Sequence, residues 1–184
     1  MVYITLADGF EEIEALTVAD ILRRAGIGTN TVSITSDKKV TGAHGITVVA
    51  DDILSKADLA TSECVILPGG MPGAVNLRNC DKLCQELKRR ANSGQLIAAI
   101  CAAPFILGEL GILKGKRATC YPGFENKLEE AVFTGALVEQ DGQIITGKGP
   151  AAAMDFALKI VETATSKTLC GEIALGMLYK QPCN

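Results

Sequence analysis

A parallel α/β sandwich is the fold class this sequence predicts, and three observations predict it. Short β-rich runs alternate with helical runs along the chain. The strand runs at residues 2–7, 64–67 and 96–100 are apolar almost throughout, as strands covered on both faces are. No linker, internal repeat or low-complexity tract interrupts them, so the 184 residues read as one domain, 1–184.

Each element has its own signal. Residues 2–7 form a first strand, and 11–25 a helix that stops at Gly26. A second strand alternates over 29–35, and 39–50 reads as an excursion of two short strands around Gly42–Gly45. The third main strand, 64–67, is closed by Pro68-Gly69-Gly70. Helices follow at 73–78 and 81–92, the latter with Asp81 as its expected N-cap. Strand 96–100 precedes a helix over roughly 103–110. A short strand is expected at 117–120 and a short helix at 125–131. Runs 137–140 and 143–146 flank Asp141-Gly142, the strongest hairpin signal present. Pro150 suits the first turn of a helix reaching about Thr163, and 171–178 is a last amphipathic segment.

Composition narrows the function classes. Hydrophobic residues make up 48% and charged residues 21%, ordinary for a globular protein. The net charge of −3, few aromatics and no tryptophan argue against nucleic acid or an anionic membrane as partner. The acidic, short apolar start is not signal-peptide-like, and no run approaches membrane-spanning length. Seven cysteines, odd in number and irregularly spaced, point to free thiols in a reducing cytoplasm.

In an open parallel sheet, sites form beyond the carboxyl ends of strands. Three loops there carry unusual chemistry: 8–14, 68–73 and 101–104. Cys101 stands where strand turns into helix, a setting that lowers a thiol pKa, although strand-end cysteines also serve as inert packing. The other six cysteines read as buried or incidental thiols, and Cys80 and Cys84, without nearby histidines, do not make a zinc site. Glu14 falls on the stripe of Phe10, Val18, Ile21 and Ala25, whereas Glu12 falls on the side of Arg23, where solvent or an ion pair is expected. A carboxyl on that stripe is either a buried acid with a raised pKa or an edge position facing water. The Gly69-Gly70 turn and the Ala102 N–H could together supply an oxyanion hole. The single histidine, His44, lies in the glycine-flanked excursion, and nothing in the order of elements brings it to Cys101 within one subunit. No Walker loop, dinucleotide fingerprint or zinc-ligand spacing occurs, so no cofactor or metal is expected.

These residues lie in LADGFEEIEAL (6–16), DILRRAG (20–26), VILPGGMPGA (65–74), LIAAICAAP (96–104) and GKGPAAAMDFALKIVE (147–162). In them the chain resembles the ThiJ/PfpI superfamily, in the branch of DJ-one and YajL. The resemblance implies a flavodoxin-like three-layer α/β/α sandwich and a homodimer. It implies Cys101 as nucleophile, Glu14 as its partner, and Gly69, Gly70 and Ala102 as backbone donors. Many members carry a histidine in a Thr-His-Pro run after the nucleophile helix. Tyr121 stands there instead, in Thr119-Cys120-Tyr121-Pro122, which argues against a PfpI-type peptidase triad. Tyr121 and, across a subunit boundary, His44 are then accessory candidates. The implied activities are cofactor-independent glyoxalase or deglycase chemistry on small reactive aldehydes or glycated groups, or oxidative-stress sensing with chaperone function.

Overall fold

The computed structural model describes residues 1–179. The amino-terminal half contains β1 (Val2–Leu6), α1 (Glu12–Arg24), β2 (Thr29–Ser33), β3 (Lys39–Thr41), β4 (Thr47–Val49), β5 (Asp52–Ile53), β6 (Cys64–Leu67), α2 (Gly73–Arg78) and α3 (Asp81–Asn92). Then come β7 (Leu96–Ile100), α4 (Pro104–Glu109), β8 (Arg117–Ala118), β9 (Val132–Phe133), β10 (Val138–Asp141), β11 (Ile144–Gly147), α5 (Ala153–Ala164) and α6 (Lys167–Gly176). A seven-stranded sheet has the order β10-β11-β7-β6-β1-β2-β5. All its pairs are parallel except the β10–β11 hairpin. Helix α1 packs on α5 and α5 on α6, while α2 packs with α3 and α4.

The apolar runs explain the centre of this sheet. Every residue of β6 and β7 is buried, and in β1 only Tyr3 is partly exposed. Ile4 pairs with Ile66 and Leu67 with Ala99, so the carboxyl ends of β1, β6 and β7 stop level with one another. The loops that follow them therefore meet at one edge. Helix α1 buries Ala15, Val18, Ala19, Ile21 and Leu22, and truncating Leu22 to alanine costs about 2–5 kcal/mol.

Arg90, in the last turn of α3, is fully buried. Its guanidinium donates to the Leu59, Ser62 and Leu96 carbonyls and to Ser62 Oγ at 2.8–3.2 Å. It thus ties the loop before β6 to the start of β7.

The structure departs from expectation at element ends. Asp81 opens α3 as its first helical residue, and the capping position is Cys80, with no side-chain cap bond. The helix expected at 125–131 is only a 3-10 turn at Glu125–Lys127, because Glu129 and Glu130 take positive φ of 35° and 40° and lead into β9. Pro150 opens a 3-10 turn that hands over to α5 at Ala153. The final helix begins earlier than expected, at Lys167, capped by Ser166 Oγ. β5 and β9 escaped the sequence reading because two residues show no periodicity.

Candidate active site

Cys101 leaves β7 with φ of +66°, a region L-residues enter at a strain of about 1–3 kcal/mol. Two backbone bonds hold it there. Its N–H donates to Gly147 O at 2.9 Å, and its carbonyl accepts from Tyr121 N at 2.8 Å. The side chain is buried, 8% exposed, between the loops that follow β1 and β6.

Glu14 arrives from the first turn of α1. Glu11 caps that helix, its Oε2 accepting from Glu14 N at 2.8 Å. Glu14 is 1% exposed, which decides between the two readings of its helical position: it is a buried acid. Its Oε2 accepts from Gly69 N at 2.7 Å, while Oε1 is buried without a hydrogen-bond partner. The carboxyl and the Cys101 thiol interact directly. A methyl added at Gly69 would sit 2.8 Å from Glu14 Oε2 and 3.0 Å from Cys101 Sγ, so glycine keeps the space between them open.

The Gly69-Gly70 turn divides its labour. Gly69 was expected as an oxyanion donor, but its only N–H is committed to Glu14. Its carbonyl accepts from Glu11 N at 2.9 Å. That bond orients the Gly69–Gly70 peptide plane, and in a trans peptide the Gly70 N–H points the opposite way. The Gly70 N–H accordingly faces the Cys101 sulfur, as does that of Ala102. Gly70 takes φ of +87° and packs against the backbone of Gly9, Phe10 and Glu11. The Gly69 N–H thus holds Glu14, while the Gly70 and Ala102 N–H groups face the sulfur.

Burial raises the Glu14 carboxyl from 4.5 to about 7, against the pull of its bonds to Cys101 and Gly69. Burial also pushes the Cys101 thiol up, and a charged Glu14 pushes it further; the Ala102 and Gly70 N–H groups pull it back. The lowered thiol expected from the strand–Cys–helix context is therefore not found beside a charged Glu14. Helix α4 is only six residues long, and burial outweighs its dipole. Below about pH 7 both groups hold their protons, and above it the pair keeps one between them.

Cys64, Cys84 and Cys120 fit the inert reading. Burial raises Cys64 to about 12 and Cys120 to about 11, and raises Cys84 as well. Cys64, Cys80, Cys84, Cys101 and Cys120 are free; Cys170 is disulfide-bonded, against the expectation of free thiols throughout, and Cys183 lies outside the described residues.

Tyr121 touches the site through its backbone. Its ring is 46% exposed, lies beside Gly149, and lines an apolar hollow of about 200 Å³ with Leu137 and Pro150. His44, the only histidine, sits at the tip of the β3–β4 hairpin with Nδ1 2.8 Å from Glu12 Oε2. Glu12 was expected on the side of Arg23, facing solvent or an ion pair, and its ion pair is with His44. Glu12 is 5% exposed, because the hairpin folds over it and donates the His44 N–H at 2.8 Å. Glu11 and Glu12 were both missed as functional positions. Acids at a helix start were the available signal for Glu11. None marked a contact between Glu12 and a residue 32 positions away.

A family model described as the DJ-1/PfpI family matches residues 1–163. The chain belongs to the DJ-1/PfpI family. "Protein DJ-1 homolog B" of Arabidopsis thaliana is 39% identical over 98% of this chain, which spans 42% of that relative's length. A Caenorhabditis elegans protein named "Glutathione-independent glyoxalase DJR-1.2" is 37% identical, with 83% of this chain and 82% of the relative covered. The solved structure described as oxidized Toxoplasma gondii DJ-1 superimposes with a TM-score of 0.94 at 36% identity, covering 98% of both chains. The sheet order and flanking helices are thus those of the flavodoxin-like DJ-1 fold. Among the described residues of this DJ-1/PfpI member, no helix is long and apolar enough to cross a membrane.

Proposed function

We propose that this chain is a cofactor-independent, glyoxalase-type enzyme acting on methylglyoxal or glyoxal, with Cys101 as nucleophile and Glu14 as general acid and base. One observation carries this: a buried carboxyl, unpartnered at Oε1 and raised to about 7, stands against the thiol. Such a group both gives and takes a proton near neutral pH. The relative named as a glutathione-independent glyoxalase supports the substrate class.

The sulfur adds to the aldehyde carbon, forming the S–C bond while the carbonyl pair moves to oxygen. The Gly70 and Ala102 N–H groups stabilise that oxygen. Glu14 removes the proton from the former aldehyde carbon and returns it to the neighbouring carbon through an enediol. The resulting thioester is hydrolysed by water, releasing lactate from methylglyoxal and restoring the thiol. The overall change is addition of one water, with no external oxidant or reductant. Acting on an early protein adduct, a deglycase activity would need one step more: the adduct's C–N or C–S bond breaks, the protein amine or thiol leaves with the hydroxyl proton, and the freed aldehyde then takes up the Cys101 sulfur. Purified protein incubated with methylglyoxal, without glutathione, is expected to form lactate, and Cys101→Ser to form none. Full activity in Cys101→Ser would refute the mechanism.

A second reading uses the same sulfur as an oxidative-stress sensor, with chaperone function. The position of Cys101, at positive φ next to a carboxylic acid, favours it, since the acid can hold an oxidised sulfinate by hydrogen bonding. Mild peroxide followed by mass spectrometry should modify Cys101 ahead of the other thiols; uniform oxidation would count against it. The cysteine-peptidase reading has less support. His44 is hydrogen-bonded to Glu12, and Tyr121 occupies the other candidate base position. A cytoplasmic homodimer remains part of the proposal, checked by light scattering and fractionation.

A further inference from the structure

We propose that Glu11, Glu12 and His44 form a surface site for a zinc-class divalent cation, separate from the Cys101–Glu14 pair. Their ligand atoms all lie within 4.8 Å of one another. The convergence is built by the backbone. Glu11 is the extended N-cap residue of α1 (φ −86°, ψ 119°) and Glu12 the first helical one, so neighbours in sequence turn their carboxylates toward one place. The β3–β4 hairpin supplies the third ligand. Its Ala43 N–H is tied to Phe10 O at 2.8 Å, and a side chain at Gly42 would overlap the Glu12 carboxyl.

A second observation separates this group from an ordinary acidic cluster. Glu11 is 6% exposed, and its Oε2 caps α1 through Glu14 N. Its Oε1 lies 3.9 Å from His44 Nδ1. Glu12 Oε2 is 2.8 Å from that same nitrogen. No lysine or arginine among the described residues pairs with either carboxylate, so at most one positive charge, on His44, faces two buried negative ones. Two nearly buried carboxylates facing at most one positive charge are costly, and a dication would balance both.

Geometry and ligand type point to zinc rather than magnesium or calcium. An imidazole with two carboxylates is a mixed nitrogen–oxygen set, suited to zinc. Bonds of about 2.1 Å at tetrahedral angles separate ligand atoms by about 3.4 Å. The observed 2.8 and 3.9 Å bracket that value. Only small shifts are needed, and the His44 side chain, 69% exposed, is free to make them. The solvent side leaves room for a water as fourth ligand.

The test is titration of zinc into the full chain, with affinity read by competition against a chromophoric indicator. Wild type and Cys101→Ser are expected to bind one zinc each with the same affinity. His44→Ala and Glu11→Gln should each weaken binding at least about tenfold. His44 is exposed, and glutamine retains the oxygen that caps α1, so both variants should keep the wild-type melting curve. Cobalt(II) in place of zinc should give visible absorbance without a thiolate charge-transfer band. Loss of binding in Cys101→Ser, equal binding in His44→Ala and Glu11→Gln, or no binding by wild type below millimolar zinc would each overturn the assignment.

Discussion

Replacing Glu14 by glutamine removes a titrating group while keeping its shape and its acceptor for Gly69 N–H. In the folded chain the carboxyl titrates at about 7 rather than 4.5, chiefly because it is buried. A folded-state value above the unfolded one means that the folded protein binds the extra proton between those limits. The associated stability is fully present below pH 4.5 and is lost as pH rises through 7. At about 1.4 kcal/mol per pH unit, the loss amounts to about 3 kcal/mol by pH 8. The glutamine side chain has no proton to lose. The stability of Glu14→Gln relative to wild type should therefore rise by about 3 kcal/mol from pH 4 to pH 8, with about 2.5 kcal/mol of that change above pH 5.

Urea unfolding of both proteins at a series of pH values measures this directly, because all other carboxylates titrate alike in the two and cancel. Cys101 does not confuse the result, since its raised thiol stays protonated across the window while Glu14 is charged. A Cys101→Ala background sharpens it. The thiol is one of the groups that hold Glu14 down, so the gap should widen there. Curves for wild type and Glu14→Gln that run parallel from pH 4 to pH 8 would refute the burial argument, and with it the proton-sharing pair.

Alkylation of Cys101 should reach its midpoint at lower pH in Glu14→Gln, because the carboxylate charge that raises the thiol is gone; an unmoved midpoint would contradict this. Gly69→Ala should fold but lose at least about tenfold in lactate formation, because its methyl enters the space between Glu14 and Cys101. Gly70→Ala should be destabilised by about 2 kcal/mol or more in thermal unfolding, since it combines positive φ with a backbone overlap. Arg90→Leu should cost about 3 kcal/mol or more in urea unfolding, because the carbonyls of Leu59, Ser62 and Leu96 lose their donor.

The parts of the site that were legible in sequence are those that a single element encodes. Cys101 stands out because an apolar strand ends at it, and Glu14 because 3.6-residue periodicity places it with Phe10 and Val18, a stripe that by itself leaves burial and exposure both open. Two neighbouring inferences failed for one shared reason. Gly69 was assigned by turn chemistry, which says that an N–H is free to point at a ligand but not which acceptor takes it. Glu12 was assigned by a helical wheel, which describes a side chain relative to its own helix axis. In the first turn of α1 the environment is made by what folds over the helix end. There the β3–β4 hairpin covers Glu12, and Gly69 accepts from Glu11 while donating to Glu14.

That shared location has a chemical consequence. Glu11 N–H orients the Gly69–Gly70 peptide, Glu11 Oε2 fixes the start of α1 through Glu14 N, and the Glu11 charge adds to the rise of Glu14. One N-cap residue therefore sets the direction of the Gly70 donor, the position of the buried acid and part of its proton affinity. Cys101 is held from the opposite side by Gly147 and Tyr121. Two independently anchored backbones thus meet across the Gly69 gap, each held by main-chain hydrogen bonds in a buried core. A thiol and a carboxyl that keep one proton between them above about pH 7 can hold that arrangement without a histidine, because burial, helped by the Glu11 charge, brings the acid into the neutral range where a base would otherwise be required.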